Sequence, residues 1–135
     1  MDRFRLAFAR LVLVYAALIF LFLASIYFLR PLTGIERFGI SVDGSPESIT
    51  FLRTSLGAMF LAMAITAIYG LVRPARLRAA LIVITLFDGC IVAARLTGMW
   101  VDGISERQWG ELTTEGISWI AFALATWAAF RAGAR

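Results

Sequence analysis

The sequence predicts an all-α, integral membrane four-helix bundle, and three observations carry that prediction. The chain is 61% apolar with a mean hydropathy of +0.84, above the roughly 45–50% apolar content of soluble domains. Its apolar residues fall into four runs of helix length, and its arginines gather in short groups at the ends of those runs. A soluble fold of 135 residues could not hide so much apolar surface, because a short chain buries only part of what it exposes. The expected solvent, and first partner, is therefore the lipid bilayer. The length suits one domain over residues 1–135.

A bilayer core takes about 20 mostly apolar helical residues. The first span is read at 11–29, without a charge. Arg3, Arg5 and Arg10 precede it, as in a signal peptide, but a signal's apolar region runs only about 7–15 residues and ends in small residues. Here it ends in Tyr27, Phe28, Leu29, Arg30 and Pro31, so a retained helix is expected. The second span is read at 51–72 with Arg53 near its start, the third at 77–94 with Asp88 inside, and the fourth at 114–130 with Glu115 near its start. Arg73-Pro74-Ala75-Arg76 joins the second and third as a tight hairpin. The other two connections are each expected to run about 20 residues, a length that marks loops for function. Ser45-Pro46-Glu47 in the first of them has the form of a helix start: a hydroxyl cap, a proline in the first turn, then an acid.

Charge sets the expected orientation. All 13 basic residues are arginines. Arg3, Arg5, Arg10, Arg73, Arg76, Arg78, Arg131 and Arg135 fall on one side of a four-crossing chain, with Asp2 the lone acid. The other side holds Arg30, Arg37, Arg53, Arg95 and Arg107 with the remaining loop acids. The positive-inside rule makes the first side cytoplasmic. The expectation is a multi-pass protein of the cell inner membrane with both termini in the cytoplasm. Trp100, Trp109 and Trp127 suit interfacial belts, a role also expected of Tyr27 and Tyr69.

Several function classes are excluded by composition. With no His and the single Cys90, the ligand sets of zinc, copper and haem are missing, as is thiol–disulfide chemistry. No metal, cofactor or catalytic residue is therefore assigned. The basic charge sits at span ends, so no nucleic-acid partner is expected.

Small residues recur every fourth position along the second helix: Thr54, Ala58, Ala62, Thr66 and Gly70. Gly89, Ala93 and Thr97 do so on the third, and Ala121, Ala125 and Ala129 on the fourth with Gly133 beyond. Such ridges let backbones approach closely in lipid. They are read first as packing within the bundle, and second as the face of a homodimer or larger membrane complex.

Asp88 lies about 16 Å along the third helix, where an unpaired carboxylate is costly and faces inward. Arg95 follows two turns on along the same face, about 10 Å away, so contact between them needs a water or a third group. Arg53 and Glu115 open their helices at similar depth. Arg53, Asp88, Arg95 and Glu115 are thus read as one buried polar network, either a clasp that fixes helix register or an outward-opening site.

Arg53 followed by Ser55-Leu56-Gly57, the Tyr69-Gly70-Leu71-x-Arg73-Pro74 turn, Asp88-Gly89, Arg95 and Glu115 resemble bacterial membrane proteins of domain-of-unknown-function family 4345. The resemblance covers the second to fourth helices and residues 31–40. It implies a four-helix membrane protein and no assigned activity.

The first functional reading is a non-enzymatic binding or accessory membrane protein. The second is a small proton-coupled transporter with Asp88 or Glu115 at its site. The third is an enzyme acting on a lipid or quinone, with Arg53 and Arg95 holding an anionic head, since arginine suits such groups.

Overall fold

The apolar run that opens the chain forms one uninterrupted helix, α1 (Asp2–Leu29), which takes in Arg3, Arg5 and Arg10 where a tail was expected. The computed structural model describes residues 2–36 and 38–132, so the expectations placed on Arg37, Gly133 and Arg135 lie outside the described residues. Pro31, whose fixed φ suits a first helical turn, starts the short α2 (Pro31–Glu36). Ser45 caps α3 (Pro46–Leu52), its hydroxyl accepting from the Ser48 amide at 3.2 Å. A π-helical turn (Arg53–Gly57) then runs directly into α4 (Ala58–Val72), so the second rod is continuous from Pro46 to Val72. A 3-10 turn (Pro74–Arg76) leads into α5 (Leu77–Asp102). After Gly103, α6 (Glu106–Arg131) completes the chain.

The described residues are all helix, turn and loop, and three of the rods are long and apolar enough to cross a membrane: Asp2–Leu29, Pro46–Val72 and Pro74–Asp102. The long second connection expected from the sequence is not there. The third helix continues through Trp100 and Val101, and only Gly103, Ile104 and Ser105 separate it from α6. Gly103 makes that turn with φ +98°, a conformation costly for any residue with a Cβ. Ser105 then accepts from the Gln108 amide while the Gln108 side chain accepts from the Ser105 amide, a capping box that fixes where α6 starts.

The four rods stand in a ring. α1 packs on α4 and α6, α5 packs on α4 and α6, and α1 and α5 scarcely touch across the middle. Leu13, Leu81, Ile84 and Phe122 are wholly buried at the centre, with Ala16, Ala64, Ala67 and Ala125 letting the rods close on one another. Outside them lies a belt of exposed Leu11, Leu18, Leu21, Ile65, Leu86 and Leu124. An apolar belt of that extent marks a surface not meant for water.

The ridges of small residues are split by this packing. Gly70 is buried against Ala80 and Leu13, Gly89 lies against Trp119, Ala125 and Ala129 are buried, and Ala121 is half-buried. Ala58, Ala62 and Ala93 face outward and Thr66 is only partly covered, so of the ridge on the second rod only Gly70 is buried within the chain. The face that does pack is Gly57, Ala64, Ala67 and Gly70. A spacing of four drifts about 40° per step around a 3.6-residue helix, so the ridge turns from the inward face at Gly70 to the outward one at Ala58.

Two helix ends are closed by arginines from neighbouring rods. Arg53 Nε donates to the Phe28 carbonyl at 3.1 Å, at the last turn of α1. Arg78 Nε donates to the Ala129 carbonyl at 3.2 Å, near the end of α6, with its guanidinium over the Phe130 ring. Both satisfy carbonyls that a helix leaves unpaired, and both put positive charge at the negative end of a helix dipole.

Candidate functional site

The α5–α6 hairpin is antiparallel about the Gly103–Ser105 turn, so residues equally far from the turn face one another. That register brings Arg95 of α5 to Glu111 and Glu115 of α6, which sit one turn apart on a single helix face. Arg95 Nε and Nη2 donate to the two oxygens of Glu115 at 2.5 and 2.6 Å, and Nη1 donates to Glu111. The guanidinium is a planar fork and matches a carboxylate in this bidentate way. All three side chains are only 20–23% exposed.

Asp88 lies two turns along α5 from Arg95, 6% exposed, and its Oδ2 has no hydrogen-bond partner among the described residues. Arg95 turns to α6 and away from Asp88, because α6 offers it two carboxylates at once. Of the four expected residues, the structure therefore brings Arg95 and Glu115 into contact and leaves Asp88 nearby without an ion pair. Arg53 stands apart, at the end of α1. Glu111 is the member of this cluster that the sequence reading missed. Its signal was the spacing of four to Glu115, visible only once the turn is placed.

A cavity of about 550 Å³ lies between α1, α5 and α6, with Phe60 of α4 at its back. Asp88, Glu111 and Glu115 line it, and Arg107 lies at its rim beside Phe38. Exposed wall residues on α1 (Tyr15 and Phe22) and on α6 (Gly110 and Thr114) put its opening between those two helices. At one end α1 and α6 are pinned together by the Tyr15–Ser118 hydroxyl hydrogen bond at 3.2 Å and the Tyr15–Phe122 ring contact. From that end the wall is aromatic along the length of the cavity. Tyr15, Phe122, Phe20, Phe60 and Tyr27 form a chain of ring contacts with centroids 5.7–6.4 Å apart. Tyr27 is thus a buried wall residue, 4% exposed, and not the interfacial anchor expected of it. Tyr69 is exposed.

The arrangement offers an apolar, aromatic chamber with carboxylates on one side and an entrance from the flank of the protein. That is the ordinary make-up of a small-molecule site: a mostly apolar cleft with a few placed polar groups. Among the described residues, no group of His, Cys, Asp and Glu could hold a metal ion.

Comparison with known proteins gives one match. The family model described as Domain of unknown function (DUF4345) matches residues 8–115, from within α1 to Glu115. It takes in the first helix, which the resemblance read from the sequence did not include, and stops where the apolar half of α6 begins. No curated protein and no solved structure matches. The match spans well over half of the chain, from the start of the cavity wall on α1 to its carboxylates on α6, and the chain belongs to this family.

Proposed function

We propose that the protein is a four-crossing inner-membrane protein, with both termini in the cytoplasm, that binds an amphiphilic small molecule in the cavity between α1 and α6 without chemistry on it. The observation that carries this reading is the cavity itself, with aromatic rings along its length and carboxylates on one wall, opening sideways between two rods. A lateral opening suits a ligand that arrives by way of the lipid. The fourth crossing is supported by Ile117, Ile120, Leu124 and Trp127, which give the second half of α6 an exposed apolar face. The orientation is supported by seven described arginines, Arg3, Arg5, Arg10, Arg73, Arg76, Arg78 and Arg131, at one end of the rods against the acid-rich other end.

Native mass spectrometry of the protein released from a mild maltoside detergent tests the binding. The wild type is expected to retain a hydrophobic adduct that Thr114→Trp, which fills the mouth from an exposed position, does not retain. Equal adducts on both proteins would overturn the reading. Orientation is tested with single cysteines in a Cys90→Ala background. Ala75→Cys is expected to be shielded from an impermeant maleimide in spheroplasts and Ser41→Cys to be labelled; the reverse pattern would invert the topology.

Proton-coupled transport is the second reading, and it is favoured by a buried Asp88 whose Oδ2 lacks a partner. Asp88→Asn with undiminished transport in proteoliposomes would end it. The enzymatic reading needs Arg53 and Arg95 to converge on one anionic head. Arg53 is engaged by the end of α1 and Arg95 by two glutamates, so the geometry gives that reading no support.

A further inference from the structure

We infer that the ligand of this cavity carries an organic ammonium group on an apolar body, with the ammonium facing Asp88 and the aromatic wall; the inference rests on the binding role proposed above. The charges on the wall decide the sign. Asp88, Glu111 and Glu115 line the cavity, and the cation that belongs to the last two, Arg95, is consumed by its three hydrogen bonds to them. Arg107 is at the rim, and its guanidinium lies where a side chain on Gly39 would have to go, tying the mouth to the first connection. One acid, Asp88, is thus left inside without a partner for Oδ2. A carboxylate buried in this way is expensive unless something donates to it.

The aromatic chain argues for the same class. Ring faces carry negative potential, and a cation over several of them is attracted in proportion to its loss of water. Tyr15, Phe122, Phe20, Phe60 and Tyr27 supply contiguous rings along the same chamber. An anionic head would meet the acidic wall with only the rim arginine to oppose it. A neutral acceptor such as a quinone has no proton to give, and would leave Asp88 Oδ2 without a donor. An ammonium satisfies Asp88 and the rings together.

The test uses the full chain in maltoside micelles, titrated with dodecylammonium and with the uncharged dodecanol, and reads Trp fluorescence. The wild type is expected to bind dodecylammonium about tenfold or more tightly than dodecanol. Asp88→Asn, of nearly the same shape, should lose that preference while still binding dodecanol, and Asp88→Glu should keep it. Unliganded melting curves establish that both variants are folded. A second arm asks where the ammonium comes from: retention of phosphatidylethanolamine over phosphatidylglycerol from mixed vesicles assigns it to a lipid head, and equal retention with dodecylammonium binding intact assigns it to a free amine. Equal wild-type affinity for the two dodecyl probes, or an unchanged preference in Asp88→Asn, overturns the ammonium inference and leaves the cavity's binding role standing. Binding of neither probe overturns both.

Discussion

Gly70 is a close approach between rods, and its substitution by alanine gives a sharp measure of how tightly they meet. A Cβ placed there would stand 2.5 Å from the Ala80 Cβ and 2.9 Å from Leu13 Cδ2, against 3.4–4 Å for an ordinary contact. The gap must therefore widen by about an ångström on the Ala80 side, and a Cβ cannot rotate away as the tip of a long side chain could. Leu13 is wholly buried and has nowhere to go. Overpacking of this kind costs about 1–3 kcal/mol, and replacing a helical glycine returns about 0.5–1 kcal/mol. The expected balance is a loss of about 1–2 kcal/mol, a factor of roughly 5–30 in the folded-to-unfolded ratio. Gly116→Ala is the matched control, because nothing lies within 4 Å of a Cβ built there, and it should gain about 0.5–1 kcal/mol. Unfolding in mixed micelles of rising dodecyl sulfate content, followed by circular dichroism, reads both. A Gly70→Ala protein as stable as the wild type, or two variants shifting the same way, would refute the packing argument.

Three other perturbations test the charged groups. Arg95→Met leaves Glu111 and Glu115 facing each other without their cation, at a cost of about 2–4 kcal/mol; the double variant Arg95→Met/Glu115→Met should recover part of it, and strict additivity in the same micelle assay would deny the coupling. Arg53→Ala removes one hydrogen bond to the end of α1, about 0.5–1.5 kcal/mol, and should leave dodecylammonium affinity unchanged, whereas a large fall would place Arg53 at the cavity. Asp43, on the connection before α3, is held below the ordinary aspartate value of 3.8 by hydrogen bonds from the Ser48 side chain, the Ser45 amide and the Ser45 side chain. A depressed carboxyl stabilises the cap fully above its unfolded value and ceases to do so as pH falls through the folded one. Its carboxyl carbon should therefore titrate with a midpoint under 3.8 in an NMR series, and a midpoint at or above that value contradicts the cap.

The parts of the fold legible in the sequence were those set by local chemistry. Apolar runs marked the rods, and Ser45-Pro46-Glu47 marked the start of α3, because a cap and a proline act within a few residues. The α5–α6 turn was misjudged for want of the same reading at Ser105 and Gln108, whose spacing of three is a capping-box signal. Once that turn is three residues long, Arg95 must meet Glu111 and Glu115. Arg53 was misplaced for a different reason. Its depth along the rod matched the cluster, but depth says nothing of azimuth, and the π-helical turn aims it at Phe28. The same azimuthal ambiguity hid the outward aspect of Ala58 and Ala62. A period of four cannot tell which face of a helix looks inward.

The polarity of α6 and the cavity have a single cause. α6 lacks the apolarity that marks the other three rods as spans, because its first half carries Glu106, Arg107, Gln108, Glu111, Thr113, Thr114 and Glu115. Such a helix would be a poor occupant of lipid alone. Beside α5 it is not alone: Arg95 pairs with two of its acids, and Thr126 shares a hydroxyl hydrogen bond of 2.8 Å with Thr85. Glu111, Thr114 and Glu115 of its polar face line the cavity across from α1, whose wall there is apolar and aromatic. Between the two a space remains, bridged where Tyr15 reaches Ser118 and Phe122 and where Phe20 meets Phe122. Replacing the polar face of α6 with leucine would make a better span and would also remove the chamber. The residues that weaken α6 as a membrane helix are therefore among those that line the chamber.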